Sequence, residues 1–189
     1  MPSIDRYFDE VDVARLRRVR ELSDIKTKFG GSGGDESTLM SKAAVVLTYA
    51  NWEGFYNECA RAYVRLLTEA DRMVREGGWL MMVGALTRDF EALRAKNHSA
   101  MGKREFVETL SSRLECKFDE FDGRTIEARS NLNFERLAYN FALLDFNLGP
   151  LQRYRIRLDK ELVGWRHGVA HGDSPDLTSM DIANHVEFA

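Results

Sequence analysis

The sequence predicts an all-α protein with one very long helix, and three observations carry this prediction. From Ser37 to Glu76, apolar side chains recur at alternating spacings of four and three residues, which marks one face of a helix: Val45, Tyr49, Trp52, Tyr56, Cys59, Tyr63 and Leu66. No segment alternates apolar and polar residues as a half-buried strand does. Breaks between the periodic segments carry glycine pairs or glycine with proline, as at 77–78 and 149–150.

Taken in order, the predicted helices cover 5–28, 37–76, 79–96, 103–121, a stretch from Asn131 or Asn133 to about 144, 151–170, and a short segment from 179. Asp5 is the expected N-cap of the N-terminal helix, and 29–36 is a Gly-rich linker. The last long helix is expected to end at Gly172, because glycine adopts a positive φ readily and Pro175 prevents continuation. We expect one domain over 1–189, with its core over 37–188.

Composition places the chain among soluble globular proteins. Its 189 residues are 44% apolar and 30% charged, and the apolar run 39–52 is broken by polar residues. We therefore expect no membrane span, and the first residues show no signal-peptide pattern. Cys59 and Cys116 lack metal-ligand spacing, so we expect reduced packing residues in a cytoplasmic protein. A net charge of −3 excludes a surface coated with positive charge.

A local basic strip nevertheless runs along the last long helix. Residues 152–171 have an excess of three positive charges within this acidic chain, and Arg153, Arg157 and Lys160 are the candidates for contact with phosphate groups. The alternative is an ordinary solvated helix face.

The same helix carries the residues best suited to chemistry, Arg166, His167 and His171. A guanidinium holds a phosphate through two parallel hydrogen bonds, and an imidazole exchanges a proton near neutral pH. The two histidines also stand at metal-pair spacing, but Gly168 occupies the glutamate position of the zinc motif. We expect no metal and no cofactor. Zinc, with Asp173 or His185 as further ligands, stays as the lesser alternative.

Arg166, His167 and His171 resemble the R-x4-6-H signature of the HEPN (higher eukaryotes and prokaryotes nucleotide-binding) superfamily. Trp-Glu-Gly-Phe at 52–55, Ser-Asn-Leu-Asn at 130–133 and Ala-His-Gly-Asp at 170–173 extend the resemblance to a free-standing bacterial branch, over roughly 37–188. The resemblance implies a HEPN-type helical bundle, a homodimer, and in active members a metal-independent endoribonuclease of toxin–antitoxin or anti-phage systems. The implied partners are RNA and an antitoxin or nucleotidyltransferase. The alternative is a catalytically silent module that binds a nucleotide or a partner protein.

In this interpretation His171 is the general base or acid, Arg166 stabilises charge in the transition state, and His167 positions the phosphate or carries the second proton. Arg166 and His171 lie five residues apart, roughly 140° around a regular helix, so we expect a twofold axis to bring two copies into one cleft. Glu53 is the candidate supporting residue, because a carboxylate on a largely apolar helix face needs a partner. The alternatives are a Glu53 that reaches solvent, an Arg166 that pairs with Asp159, Glu161 or Glu53, and a His171 that the helix dipole favours.

Overall fold

The computed structural model describes residues 4–30, 37–118, 126–128, 131–173, 175–177 and 180–189. Within these ranges the chain is helical and contains no strand, which confirms the all-α prediction; an isolated bridge joins Met73 and Lys117. The main helices are α1 (Ile4–Phe29), α2 (Ser37–Glu69), α3 (Trp79–Ala85), α4 (Thr87–Ala95), α5 (Ala100–Leu114), α6 (Phe134–Leu143), α7 (Arg155–Arg157), α8 (Trp165–His171) and α9 (Ile182–Phe188). Most of the Gly-rich linker, the last residues of the helix predicted over 103–121 and the predicted helix start at 179 lie outside the described residues.

The chain divides into two compact units. The first comprises Met1–Tyr7, Ala60–Glu127 and Ala138–Leu148, and the second comprises Phe8–Cys59, Ala128–Leu137 and Gly149–Ala189. Every predicted site residue lies in the second unit. No helix of the described part of the chain is both long enough and apolar enough to cross a membrane.

The second unit is built on the apolar faces of α1, α2 and α9. Ile25 of α1, Ala44 of α2 and Ile182 and Val186 of α9 form one buried cluster, on which Leu22, Phe29 and Met180 pack. The N-terminal helix is confirmed, although α1 already includes Asp5 in its first turn, so Asp5 is not the N-cap. Because α1 and α9 pack against one side of α2, the site described below lies on the remaining faces of α2.

In the first unit the long helix ends earlier than predicted, at Glu69 rather than Glu76. Asp71 has φ 52°, a conformation that a helix cannot contain, and the chain then forms a short 3₁₀ turn over Val74–Glu76. Val74 N–H donates to the Cys116 carbonyl and Phe118 N–H to the Arg72 carbonyl. These bonds join two segments that are distant in the sequence. They explain why α2 and the helix predicted over 103–121 both end earlier than predicted.

The helices at 79–96 and 103–121 also differ from the prediction. Leu86, at φ −96° and ψ 8°, divides the former into α3 and α4, and the Thr87 hydroxyl donates to the Val83 carbonyl at this break. The latter begins at Ala100, where Ser99 accepts from Gly102 N–H as an N-cap, and it ends at Leu114. Asn97 and His98 have positive φ values of 50° and 51° and form the turn between α4 and α5.

The predicted last long helix is helical throughout 149–171 but is not one regular α-helix. A 3₁₀ segment (Gly149–Tyr154) precedes α7, and a π segment (Leu158–Gly164) separates α7 from α8. Trp165 N–H donates to the Lys160 carbonyl five residues earlier, the bond that defines a π turn. A Cβ at Gly164 would lie 3.0 Å from the Asp159 carbonyl oxygen, so glycine suits this turn. We call residues 149–171 the C-terminal helical stretch.

Caps at the remaining helix ends agree with local sequence signals. Asn133 caps α6 by accepting from Arg136 N–H, which confirms one of its two predicted caps. Gly172 has φ 82° and ends α8 as predicted. Asp181 caps α9 by accepting from Asn184 N–H. Cys59 and Cys116 are both free cysteines.

Candidate functional site

Arg166 of α8 is half-buried, and its side chain packs against α2. Its guanidinium carbon is 4.0 Å from the centre of the Tyr49 ring, and Nη2 is 3.9 Å from Glu53 Oε2. The two charged side chains are only 18% and 19% exposed, so water screens their attraction less than it does at an open surface. The aromatic face and the carboxylate therefore hold the arginine head in one place.

Tyr49 connects this arginine to the segment before α6. Tyr49 is 2% exposed, and its hydroxyl oxygen accepts from Leu132 N–H at 2.7 Å. Burial raises the pKa of Tyr49, and the nearby Glu53 charge adds to the rise. The Leu132 bond brings part of the 130–133 motif close to Arg166; residues 131–133 are described, whereas Ser130 lies outside the described residues.

We expect Tyr49→Phe to destabilise the fold by about 1–3 kcal/mol, because Leu132 N–H is buried and would lose its acceptor. Urea denaturation measures this loss. Tyr154→Phe, at a tyrosine that is 36% exposed, is the matched control. Equal stability of the two variants would show that the Leu132 bond contributes nothing.

Glu53 is held in a poorly solvated position beside Arg166. Burial raises the pKa of Glu53, and the Arg166 charge and a hydrogen bond from Tyr49 offset only part of this rise. Its Oε1 is buried and has no hydrogen-bond partner among the described residues. The negative charge of the Glu53 carboxylate is thus only partly compensated, and Arg166 is the cation that stabilises the charged form.

This rise predicts how stability depends on pH. Between the ordinary pKa of Glu53 and its raised value, the folded state binds more protons than the unfolded state, so the contribution of Glu53 to stability falls as pH increases. Glu53→Gln removes this dependence. We expect the stability of the variant relative to the native protein to increase from pH 4 to pH 7 in thermal unfolding. Glu91→Gln, at an exposed position, serves as control; a relative stability that falls over this range would contradict the prediction.

His167 and His171 lie on the exposed side of α8. Their ring centroids are 4.3 Å apart, at an interplanar angle of 49°. The pair results from their spacing of four residues on a regular helix. Two adjacent exposed imidazoles can share the work of accepting one proton and donating another.

The structure therefore brings the predicted residues together in two groups. Arg166 meets Glu53, and His167 meets His171. Because α8 is a regular α-helix, Arg166 and His171 leave it roughly 140° apart, and the arginine faces α2 while the histidines face solvent. Asp159 and Glu161, the other proposed partners of Arg166, are engaged elsewhere: Asp159 accepts from Phe134 N–H, and Glu161 pairs with Arg157.

Of the three candidate phosphate contacts in the basic strip, two are exposed and one is anchored. Arg153 and Lys160 are exposed. Arg157 donates to Glu161 at 2.8 Å and also to Asn184, and its guanidinium lies 4.3 Å from the centre of the Phe188 ring. Arg157 therefore joins the C-terminal helical stretch to α9, while Arg153 and Lys160 remain accessible to an anion.

The residues that the zinc alternative would use as further ligands, His185 and Asp173, have different surroundings. His185 is 1% exposed and packs on Trp165 with ring centroids 5.4 Å apart, and burial lowers its pKa to about 4. Asp173 is exposed. Within the described ranges, no group of three or more His, Cys, Asp or Glu side chains has a metal-binding arrangement.

Tyr49 is a further residue of the site that was not identified as such from the sequence. It was predicted only as a member of the buried stripe, as was Trp52, which also belongs to the motif at 52–55. The motif at 52–55 was the available signal: Glu53 faces Arg166, and a Cβ at Gly54 would lie 2.5 Å from the Arg18 guanidinium, which binds Glu21 and Glu58. The motif thus combines a site residue with a close contact between α1 and α2.

Comparison with known proteins adds one match. A family model described as RiboL-PSP-HEPN matches residues 14–189, a range that begins inside α1 and includes α2 and the C-terminal helical stretch. Neither the curated proteins nor the solved structures yielded a match.

Proposed function

The chain belongs to the RiboL-PSP-HEPN family, and from this premise we propose that it is a metal-independent endoribonuclease. HEPN domains are often ribonucleases, often bind RNA and often form dimers. One observation carries the proposal to this chain: an arginine oriented by Tyr49 and Glu53 lies on the same short helix as an exposed, adjacent pair of imidazoles. That helix supplies both a charge stabiliser and two proton carriers.

The proposed reaction is internal transesterification of RNA. One imidazole, assigned to His171, accepts the proton of the 2′-hydroxyl; the 2′-oxygen attacks the adjacent phosphorus; and the bond from phosphorus to the 5′-oxygen breaks. The second imidazole, assigned to His167, donates a proton to the leaving 5′-oxygen. Arg166 stabilises the negative charge that grows on the phosphoryl oxygens. The products are a 2′,3′-cyclic phosphate and a 5′-hydroxyl.

A homodimer completes this arrangement. In one chain the arginine and the histidines point to different sides of α8, so they cannot close on one phosphate. A twofold axis beside α8 brings Arg166, His167 and His171 of both copies to one shared cleft, because an isologous contact repeats each residue in the partner. Arg153 and Lys160 extend the positive surface along the RNA.

A ribonuclease of this kind damages its own cell unless it is restrained. We therefore place it in a toxin–antitoxin or anti-phage system, with an antitoxin or a nucleotidyltransferase as its partner. The family membership supports this part of the proposal.

The second candidate is a catalytically silent HEPN module that binds a nucleotide or a partner protein. The observation that favours it is the Arg166–Glu53 pair, since an arginine that compensates a half-buried carboxylate has a structural task of its own. In that case Arg166→Ala affects stability, and no cleavage exists to be lost.

Incubation of the purified protein with RNA, with and without a metal chelator, separates the two candidates. We expect cleavage at the same rate in both conditions, with products that carry 2′,3′-cyclic phosphate ends. RNA methylated at its 2′-oxygens and DNA should both resist, because each lacks the attacking hydroxyl. Absence of cleavage of any RNA would favour the silent module, and cleavage that the chelator abolishes would refute the metal-independent mechanism.

A further inference from the structure

A cavity of about 460 Å³ lies in the second unit, between the C-terminal helical stretch, α9 and Trp52 of α2. Cavities that bind small ligands have volumes of roughly 300–1,000 Å³. Leu158 and Leu162 are buried and form apolar lining, whereas Tyr154 is 36% exposed. The cavity is therefore large enough for a planar ring and accessible from solvent.

Its lining combines the rings of Tyr154 and Phe188 with the guanidinium of Arg157, and Arg153 contacts Tyr154 from outside the lining. Tyr154 and Phe188 have ring centroids 5.8 Å apart and are inclined at 59°, so they do not cover each other as a face-to-face stack. The Arg153 guanidinium lies 4.6 Å from the centre of the Tyr154 ring, and Arg157 lies over Phe188. Aromatic faces and arginine planes are the surfaces on which the bases of single-stranded RNA stack.

The position of the cavity links it to the proposed reaction. Trp52 directly precedes Glu53, the residue that faces Arg166. The exposed Arg153, whose guanidinium contacts the Tyr154 ring, supplies positive charge beside the cavity for a phosphate next to a bound nucleotide.

We infer that this cavity binds one unpaired base of the RNA, and that it thereby selects which phosphate reaches Arg166 and the histidines. The inference rests on the proposed function for its second part, the choice of cleavage site. Its first part, the binding of a base, stands apart from catalysis and can be measured without it.

Binding is tested in the His171→Ala variant, which keeps the RNA intact. Tyr154→Ala is added to this full-length chain, and the affinity for a labelled single-stranded RNA of mixed sequence is measured by fluorescence anisotropy. We expect the affinity to fall about 5- to 150-fold, the range that corresponds to loss of one stacked base. The affinity for a fully paired RNA of the same length should not change, because its bases are already stacked in the duplex.

Tyr139→Ala, at a tyrosine of α6 that is 45% exposed, is the matched control and should bind single-stranded RNA as the parent does. Equal affinities of the Tyr154→Ala and Tyr139→Ala variants would overturn the inference.

The outcomes separate this inference from the proposed function. If the native protein cleaves RNA but Tyr154→Ala alters neither affinity nor cleavage positions, the ribonuclease proposal stands and the base pocket fails. If single-stranded RNA binding depends on Tyr154 but no RNA is cleaved, the pocket stands and the ribonuclease proposal fails.

Discussion

Replacement of His171 by alanine is expected to lower the rate of RNA cleavage by about 10²–10⁴-fold, the usual effect of losing one proton-transfer group. The side chain is exposed and its described contact is the tilted ring contact with His167, so the fold should be unaffected. Single-turnover cleavage of a labelled RNA measures the rate, and circular dichroism checks the fold.

His98→Asn is the control for a general effect of losing an exposed imidazole. His98 has φ 51°, and asparagine tolerates this conformation better than alanine does. We expect native activity from the control. A His171→Ala variant that cleaves RNA as fast as His98→Asn would remove His171 from the mechanism.

Mixing two inactive variants is expected to restore activity if the site is shared between subunits. Arg166→Lys keeps a positive charge beside Glu53 but lacks the guanidinium fork, so it should be folded and inactive. When it is mixed with His171→Ala in equal amounts and subunits exchange at random, half of the dimers carry both variants. One of the two sites in each mixed dimer is then complete, which predicts recovery of about a quarter of native activity.

Subunit exchange is verified by co-purification of differently tagged chains before activity is measured. Recovery near this level shows that the arginine and histidine of one site come from different copies. No recovery after proven exchange would mean that a single chain supplies both, and a forced monomer would then remain active.

Local patterns were sufficient to predict most of the helices. Alternating spacings of three and four predicted α2, and the positions of Asn133 and Gly172 predicted a helix start and a helix end, because capping depends on bonds within a few residues. The early end of α2 was missed, because it depends on bonds between 72–74 and 116–118, which are close only in the folded chain.

The candidate site likewise contains some contacts that local spacing predicts and others that depend on residues close together only in the folded chain. The sequence pointed to Arg166, His167 and His171 as candidates, and the His167–His171 contact follows from their helical spacing. It left three acidic partners open for Arg166, two of them within seven residues. The partner observed is Glu53, more than a hundred residues away, because Asp159 accepts from Phe134 N–H and Glu161 binds Arg157.

The sequence by itself determined an all-α chain, one very long helix and membership of the HEPN superfamily, since periodicity, capping and motif spacing are properties of neighbouring residues. Only the tertiary structure decided that the C-terminal helical stretch contains a π segment, that Tyr49 and Glu53 orient Arg166, and that Trp52 and Tyr154 line a cavity. The physical reason is that burial and charge compensation depend on which distant side chains share a space, and helical spacing does not specify that.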